Sequence, residues 1–172
     1  MAGASLKLQI TVDDRSIRAA LERLVKASGD LRPVFAEIGE YLDLATRERF
    51  DREQAPDGTP WEPLSDATLR RKMLKGVKRG RKRRRLTARD GSTRAGAIQR
   101  LAQASILVES GALRDTLRYR ASADSLEFGT DRKYGATHQF GDEKRNIPAR
   151  PFLGLSDADR AEIVAALERH LR

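Results

Sequence analysis

The sequence predicts an α+β fold: a small, mostly antiparallel sheet packed against two long helices and a C-terminal helix, with a long basic inserted arm. Three observations carry it. Apolar residues recur at helical spacing in three stretches and at period two in a few short ones. The 172 residues fit one domain, 1–172, with residues 75–100 as a basic loop or arm insertion. The charge is uneven. The chain has 34 Lys and Arg against 25 Asp and Glu, but residues 70–100 hold 14 bases and one acid, Asp90. That segment alone is +13, and the remaining 141 residues sum to −4. A uniformly basic DNA-coating protein would carry its charge over its whole surface, so the pattern argues against one.

The elements follow in order. Leu6, Leu8, Ile10 and Val12 alternate with polar residues, which predicts a strand with one buried face. Asp13 and Asp14 supply helix N-cap chemistry for a stripe of Ile17, Ala20, Leu21, Leu24 and Val25, stopped at Gly29. Asp30 caps the next helix, with Pro33 tolerated in its first turn. Leu31, Val34, Phe35, Ile38, Leu42 and Ala45 form its apolar stripe as far as about Phe50. Residues 53–65 contain three prolines and an Asp57-Gly58 pair, so they form tight turns. Ser65 caps a short helix from Asp66 to about Lys75. The basic stretch has few large apolar residues to anchor it. Helical spacing resumes at Ala97, Ile98, Leu101 and Ala102.

A turn or short helix is expected at Ser110-Gly-Ala-Leu113. Residues 116–120 and 125–128 read as strands joined by a loop short enough for a hairpin. Tyr134 to Phe140 reads as a helical turn ended by Gly141. Residues 147–153 are extended, because Pro148 and Pro151 each push their predecessor out of the helical region. Ser156 caps a final helix with Ile163, Val164, Leu167 and Leu171 on its apolar face. Acids sit early in it and Arg169 and Arg172 late, as the helix dipole favours.

Composition removes several chemistries. There is no cysteine, which excludes disulfides, thiolate zinc sites, iron–sulfur clusters and cysteine nucleophiles and fits a reducing compartment. The first residues lack a charged n-region and an apolar h-region, so no signal peptide is expected. No run approaches 18 apolar residues, so no membrane span is expected.

Catalytic motifs are equally sparse. His138 and His170 have no ligand-like spacing. His170 suits the end of a helix, and His138 reads as a ring tying a loop to backbone groups, with no nucleophile paired to it by any motif. Gly76-Val-Lys-Arg-Gly80-Arg-Lys is one residue short of a phosphate loop, and no apolar strand precedes it. Asp157 and Asp159 lack the glycine and glutamate of a calcium loop, so helix capping accounts for them. No catalytic, metal or cofactor-binding residue is expected, and no small-molecule substrate. Trp61, the only tryptophan, either anchors a partner or plugs its loop onto the domain's own core.

The basic run is the strongest unusual feature. Lys75, Lys78, Arg79, Arg81, Lys82, Arg83, Arg84 and Arg85 fall within eleven residues that include no acid. They contact nucleic-acid phosphates, dock on an acidic protein surface, or form a solvated loop with no partner. The run has no aromatic residue for base stacking, which argues against sequence reading of single strands.

Four stretches then carry a resemblance. They are Pro56-Asp-Gly-Thr-Pro-Trp-Glu-Pro-Leu-Ser65, Ile106-Leu-Val-Glu-Ser-Gly-Ala-Leu-Arg114, Phe128-Gly-Thr-Asp-Arg-Lys-Tyr-Gly-Ala-Thr-His-Gln-Phe-Gly141 and Ile147-Pro-Ala-Arg-Pro-Phe-Leu-Gly-Leu-Ser156. Together and in this order, the chain resembles the phage virion morphogenesis family, the tail-completion proteins of Mu-like phages and their prophages. The resemblance implies a non-enzymatic virion protein that completes the head-proximal end of the tail and joins it to the neck and head. It implies a ring, commonly a hexamer, and contacts with neck or connector and tail-tube proteins, made in the bacterial cytoplasm. Genomic DNA in the channel is a further expected partner of the basic run. The alternative is a non-specific nucleic-acid-binding protein acting through residues 75–85. A ring needs one surface of a subunit to meet a different surface of the next. The expected interface residues are Trp61, Pro63 and Leu64 on one loop and Ile147, Pro148, Arg150 and Phe152 on the extended segment, both rigid enough to lose little entropy on docking.

Overall fold

The computed structural model describes residues 14–27, 30–74, 92–102 and 104–170. Helix α1 (Arg15–Ala27) opens on Asp14, whose carboxylate accepts the backbone N–H of Ser16 and Ile17 at 3.0 and 3.3 Å. Helix α2 (Arg32–Arg52) is the longest, at 21 residues. Its first turn holds Pro33, and Asp30 accepts the Arg32 N–H at 2.9 Å. It stops because Glu53 turns left-handed, at φ 54°, and returns its N–H to the Arg49 carbonyl. Short helices α3 (Asp66–Met73), α4 (Ala95–Ala102) and α5 (Ala112–Asp115) follow. Strands β1 (Leu117–Ala121) and β2 (Leu126–Thr130) form an antiparallel hairpin, in register from Leu117 opposite Thr130 to Ala121 opposite Leu126. Helix α6 (Lys133–Phe140), a 3-10 turn (Glu143–Arg145) and α7 (Asp157–Arg169) complete the order.

The α+β class is therefore as expected, with a two-stranded sheet among the described residues. The strands start one residue later than the runs at 116–120 and 125–128 predict, and β2 extends to Thr130. Thr116 finishes α5 instead, its hydroxyl donating to the Ala112 carbonyl at 2.7 Å. Helix α6 is a full eight residues rather than a single turn. The predicted strand of Leu6, Leu8, Ile10 and Val12 lies outside the described residues, as do Gly29 and the basic residues from Lys75 to Arg85.

The hairpin and α7 both pack on α2, and α7 also packs on α1. Gly39 explains how closely the sheet approaches: a methyl group there would overlap the Tyr119 ring of β1. A mid-helix glycine costs about 1 kcal/mol against alanine, and here close packing is the return. Two apolar clusters result among the described residues. One gathers Ala20 of α1, Val34, Phe35, Ile38 and Leu42 of α2, and Ile163, Ala166 and Leu167 of α7. The other gathers Phe50, Ala55, Trp61, Ile106, Leu113, Leu117, Phe152 and Leu153, mostly from loops and helix ends. Phe128 of β2 packs against both.

A buried ion pair also links α2 to α7. Arg49 and Asp159, 6% and 2% exposed, bond directly to each other. The Arg49 guanidinium also donates to the carbonyls of Phe152 and Gly154, at 3.3 and 2.9 Å. Asp159 takes the Tyr41 hydroxyl at 3.1 Å and the Ser156 N–H at 2.6 Å, so every side of the carboxylate has a donor. Burial, with the Asp159 charge beside it, pushes the Tyr41 phenol up to about 12. Burial likewise lowers Arg49 from its ordinary value, against the pull of Asp159. Asp159 does cap α7, in a reciprocal capping box with Ser156, as its position suggests. The arginine 110 residues upstream has no local signature in the sequence.

Candidate functional site

The loop after α2 is built from its own turns. The Ala55 N–H reaches the Thr59 carbonyl and the Gly58 N–H reaches that of Ala55, at 2.8 and 2.9 Å. Asp57 accepts the Thr59 N–H at 2.9 Å, and that bonding holds its carboxyl below the usual range. Gly58, at φ 84°, supplies the left-handed residue of the turn. The loop then folds inward. Trp61 is 5% exposed, edge-on to Phe50 with ring centroids 5.4 Å apart, and its indole N–H donates to the Pro151 carbonyl at 2.8 Å. Of the two alternatives for this residue, the indole fills the chain's own core.

The extended segment locks onto the same loop. The Arg150 guanidinium, 6% exposed, donates to the carbonyls of Glu62 and Pro63, at 2.8 and 2.9 Å. Its backbone N–H donates to the His138 carbonyl at 2.7 Å. Phe152 is fully buried against Phe50. Gln139, the residue after His138 on α6, accepts the N–H groups of Phe152 and Leu153 at 3.0 Å each and donates to the Leu153 carbonyl at 2.9 Å. Gly141 then sits at φ 79°, where a methyl group would fall 2.9 Å from the Ala149 nitrogen. A two-way bridge between Asp142 and Ile147 closes the turn. Glu53 accepts the Ile106 N–H, which brings in the second motif stretch.

All four stretches thus meet around one open groove of about 930 Å³. Its apolar wall includes Pro63, Leu64, Leu107, Val108, Tyr134, Ile147 and Pro148, and its charged residues are Glu62, Arg71, Lys72, Glu109, Glu143 and Arg150. Lys72 is largely consumed in structure, donating to the carbonyls of Ser105 and Val108 at 2.7 and 3.0 Å. Of the expected interface residues, Pro63 is exposed and Leu64, Ile147 and Pro148 are half-buried, so these four present surface. Trp61, Arg150 and Phe152 are buried and hold the other four in place.

His138 lines the groove, but its ring does not make the backbone tie the sequence suggests. That tie is made by its carbonyl and by Gln139, while the buried Nδ1 has no partner among the described residues. Burial, then Arg150 and Arg145, lowers its pKa from the ordinary imidazole value, so the ring is neutral at pH 7. No described carboxylate or hydroxyl bonds to the ring to make it a catalytic base. His170 ends α7 as expected, its Nδ1 3.2 Å from the Ala166 carbonyl. No group of three His, Asp or Glu among the described residues is placed to hold a metal ion. No described helix is long and apolar enough to cross a membrane. Gln139 and Arg49, central to the framework, have no signal of their own in the sequence beyond Gln139's place in a motif stretch.

A model of the phage virion morphogenesis family matches residues 12–97 and again residues 84–172. The chain belongs to the phage virion morphogenesis family. Within it, the chain is similar to tail completion protein S of Escherichia phage P2, 28% identical over 152 residues that cover 81% of this chain and 83% of the relative. It is also similar to the capsid assembly protein G of Escherichia phage Mu, 26% identical over 174 residues covering 97% of this chain and 96% of the relative. The Mu-like prophage FluMu G protein 1 of Haemophilus influenzae is 26% identical over 166 residues, covering 96% of each chain. No solved structure matches the chain. The two family matches between them include every stretch that lines the groove.

Proposed function

We propose that this chain is a structural protein of a tailed-phage virion that completes the head-proximal end of the tail and joins it to the neck. It works as a ring of identical copies, a hexamer that matches the tail's symmetry, and has no catalytic step. The observation that carries this reading is the convergence of four motif stretches on one rigid surface made of bonded loops. Such a surface is pre-organised, so docking costs little ordering entropy. The name of the P2 relative, a tail completion protein, supports the same role. Pro63, Leu64, Ile147 and Pro148 make the contact with a neighbour, on a frame set by Trp61, Arg150 and Phe152.

The test is genetic and visual. A phage lacking the gene is expected to give heads and tails that fail to join, and wild-type particles imaged at the neck carry one ring of this chain. Leu64→Asp with Ile147→Asp is expected to leave the fold intact by circular dichroism and yet fail to restore joining. Infectious particles from the deletion would overturn the proposal.

The +13 charge of residues 70–100 favours a second contact, with DNA phosphates or an acidic face of an adjacent ring. If DNA is the target and six phosphates are engaged, log affinity falls against log salt with a slope of about −5. A flat dependence rules DNA out. Reversing the charge of Arg81, Lys82, Arg83, Arg84 and Arg85 together should then impair DNA passage or ring stacking, read as loss of infectivity.

A further inference from the structure

Neither edge of the hairpin has another described strand beside it. The Ser122 N–H donates to the Ser125 carbonyl at 2.8 Å. Ladder bonds alternate from there, so the bonded pairs are Arg120 with Glu127 and Arg118 with Gly129. The N–H and C=O groups of Leu126 and Phe128 therefore point away from β1, along the outer edge of β2. An unpaired edge of this kind is where a further strand adds.

The β2 edge borders an apolar hollow of about 350 Å³. Leu126 and Phe128 line it from β2, and no residue of β1 does. Ile17 and Leu21 of α1 and Ile163 and Leu167 of α7 form facing walls. The other face of the hairpin carries the exposed Arg118, Arg120 and Glu127. A strand added at this edge needs apolar residues on one face and polar residues on the other, at period two.

The chain just before α1 has that pattern. Leu6, Leu8, Ile10 and Val12 alternate with Lys7, Gln9 and Thr11, and Asp13 alone separates them from Asp14, the cap of α1. Residues 6–12 extended span about 23 Å, enough to run the length of β2, about 17 Å. The direction follows from where α1 begins. Asp14 pairs with Arg160 of α7 at 3.0 Å, next to Asp159 and so level with Arg49 near the end of α2. Helix α2 starts beside the hairpin turn, where the Leu31 N–H donates to the Ala123 carbonyl at 3.0 Å. It passes Tyr119 at Gly39 and reaches Phe50, which clusters with Leu117, the residue opposite Thr130. The start of α1 is thus level with the end of β2, and a strand that feeds α1 must finish there.

We propose that residues 6–12 form a third strand on the outer edge of β2, parallel to it, with Leu6, Leu8, Ile10 and Val12 seated in the hollow of their own chain. The hollow then belongs to the core, and of the two concavities the groove is the one left for a neighbour. The inference does not depend on the ring reading.

Amide exchange and paramagnetic labelling of the full-length chain test it. In the native chain the Leu126 and Phe128 amides are expected to be protected alongside that of Gly129, which is bonded within the hairpin. Ile10→Asp forces a carboxylate into the hollow and should quicken exchange at Leu126 and Phe128 roughly 30-fold relative to Gly129. Gln9→Asp, on the polar face, should leave that ratio unchanged. Because the chain has no cysteine, a nitroxide can be placed at Lys7→Cys or Thr11→Cys alone. The first label should broaden the Leu126 amide more than that of Thr130, and the second the reverse. A mixture of nitroxide-bearing chains with separate isotope-labelled chains should show no broadening along β2. Exchange at Leu126 and Phe128 as fast as in an unfolded chain overturns the inference, as does a folded Ile10→Asp variant with native exchange. If that variant does not fold, the native exchange and the two labels decide alone. Labels that broaden the opposite ends, or neither, overturn it too. Broadening in the mixture overturns it by giving the hollow to a second copy.

Discussion

Leu167 and Phe152 are both fully buried, yet they are held by different means. Leu167 sits among apolar side chains of α1, α2 and α7, where contact is non-directional and a range of shapes would do. Phe152 is fixed by its backbone: its N–H goes to Gln139 and its carbonyl to Arg49, while Trp61 and Arg150 bind the loops on either side. Directional bonds to buried backbone groups tolerate little displacement. The loop half is therefore the more sharply specified, although it has less regular secondary structure. It is also the half that shapes the groove. Arg49 belongs to both, since its guanidinium touches Asp159 of α7 and the Phe152 and Gly154 carbonyls.

The comparison predicts a graded series. Arg49→Ala leaves Asp159 buried without its cation and frees two carbonyls, for an expected loss of about 3–5 kcal/mol. It should also uncouple the halves. Trp61 is the sole tryptophan and reports the loop half, while far-ultraviolet circular dichroism reports the helices. Their urea transitions should coincide in the native chain and separate in this variant. Gln139→Ala strips the acceptor from two buried N–H groups, for about 2–4 kcal/mol. Amide exchange should quicken at Phe152 and Leu153 while the α2 amides at Ile38 and Leu42, inside the helix, keep their relative protection.

Tyr41→Phe removes one donor to Asp159 and should cost about 1 kcal/mol at neutral pH. The pH dependence has a definite sign. Folding favours the neutral phenol, so this contribution is complete below pH 10 and is lost as pH rises towards about 12. Denaturation midpoints should fall across that window in the native chain and less steeply in the variant. The smallest effect belongs to the helical half. Thr46 is 1% exposed, and its hydroxyl has no partner among the described residues. Thr46→Val keeps the shape and should be neutral or stabilising by up to about 1 kcal/mol, read from the melting temperature.

The two halves differ in legibility for the same reason. Ile17, Val34, Ile38, Leu42, Ile163 and Leu167 announce their helices because packing on one face imposes a period of 3.6 residues. The hairpin could be read from two short runs and a tight connection, and Ser65 and Ser156 from the capping pattern. A bond from Arg150 to Glu62, or from Trp61 to Pro151, joins residues about 90 apart and imposes no period at all. For that half the sequence offered motifs without geometry. Trp61 and Phe152 could be singled out, but not that they fill the core beneath the surface they shape. Arg49 reads as one more charge on an amphipathic helix until α7 brings Asp159 to it.

The junction between α3 and α4 has an engineering consequence. The two helices pack together, and the Arg100 guanidinium donates to the Met73 carbonyl at 2.7 Å. The chain thus departs at Leu74 and resumes at Ser92 from a single fastened socket, on helices that bury only Ala97 between them. The two ends of the intervening chain are thus held at one site, where doubling the length of a flexible loop adds only about 0.6 kcal/mol of closure entropy. On closure entropy alone, an insertion between residues 74 and 92 is therefore expected to cost little in stability, read from the melting temperature.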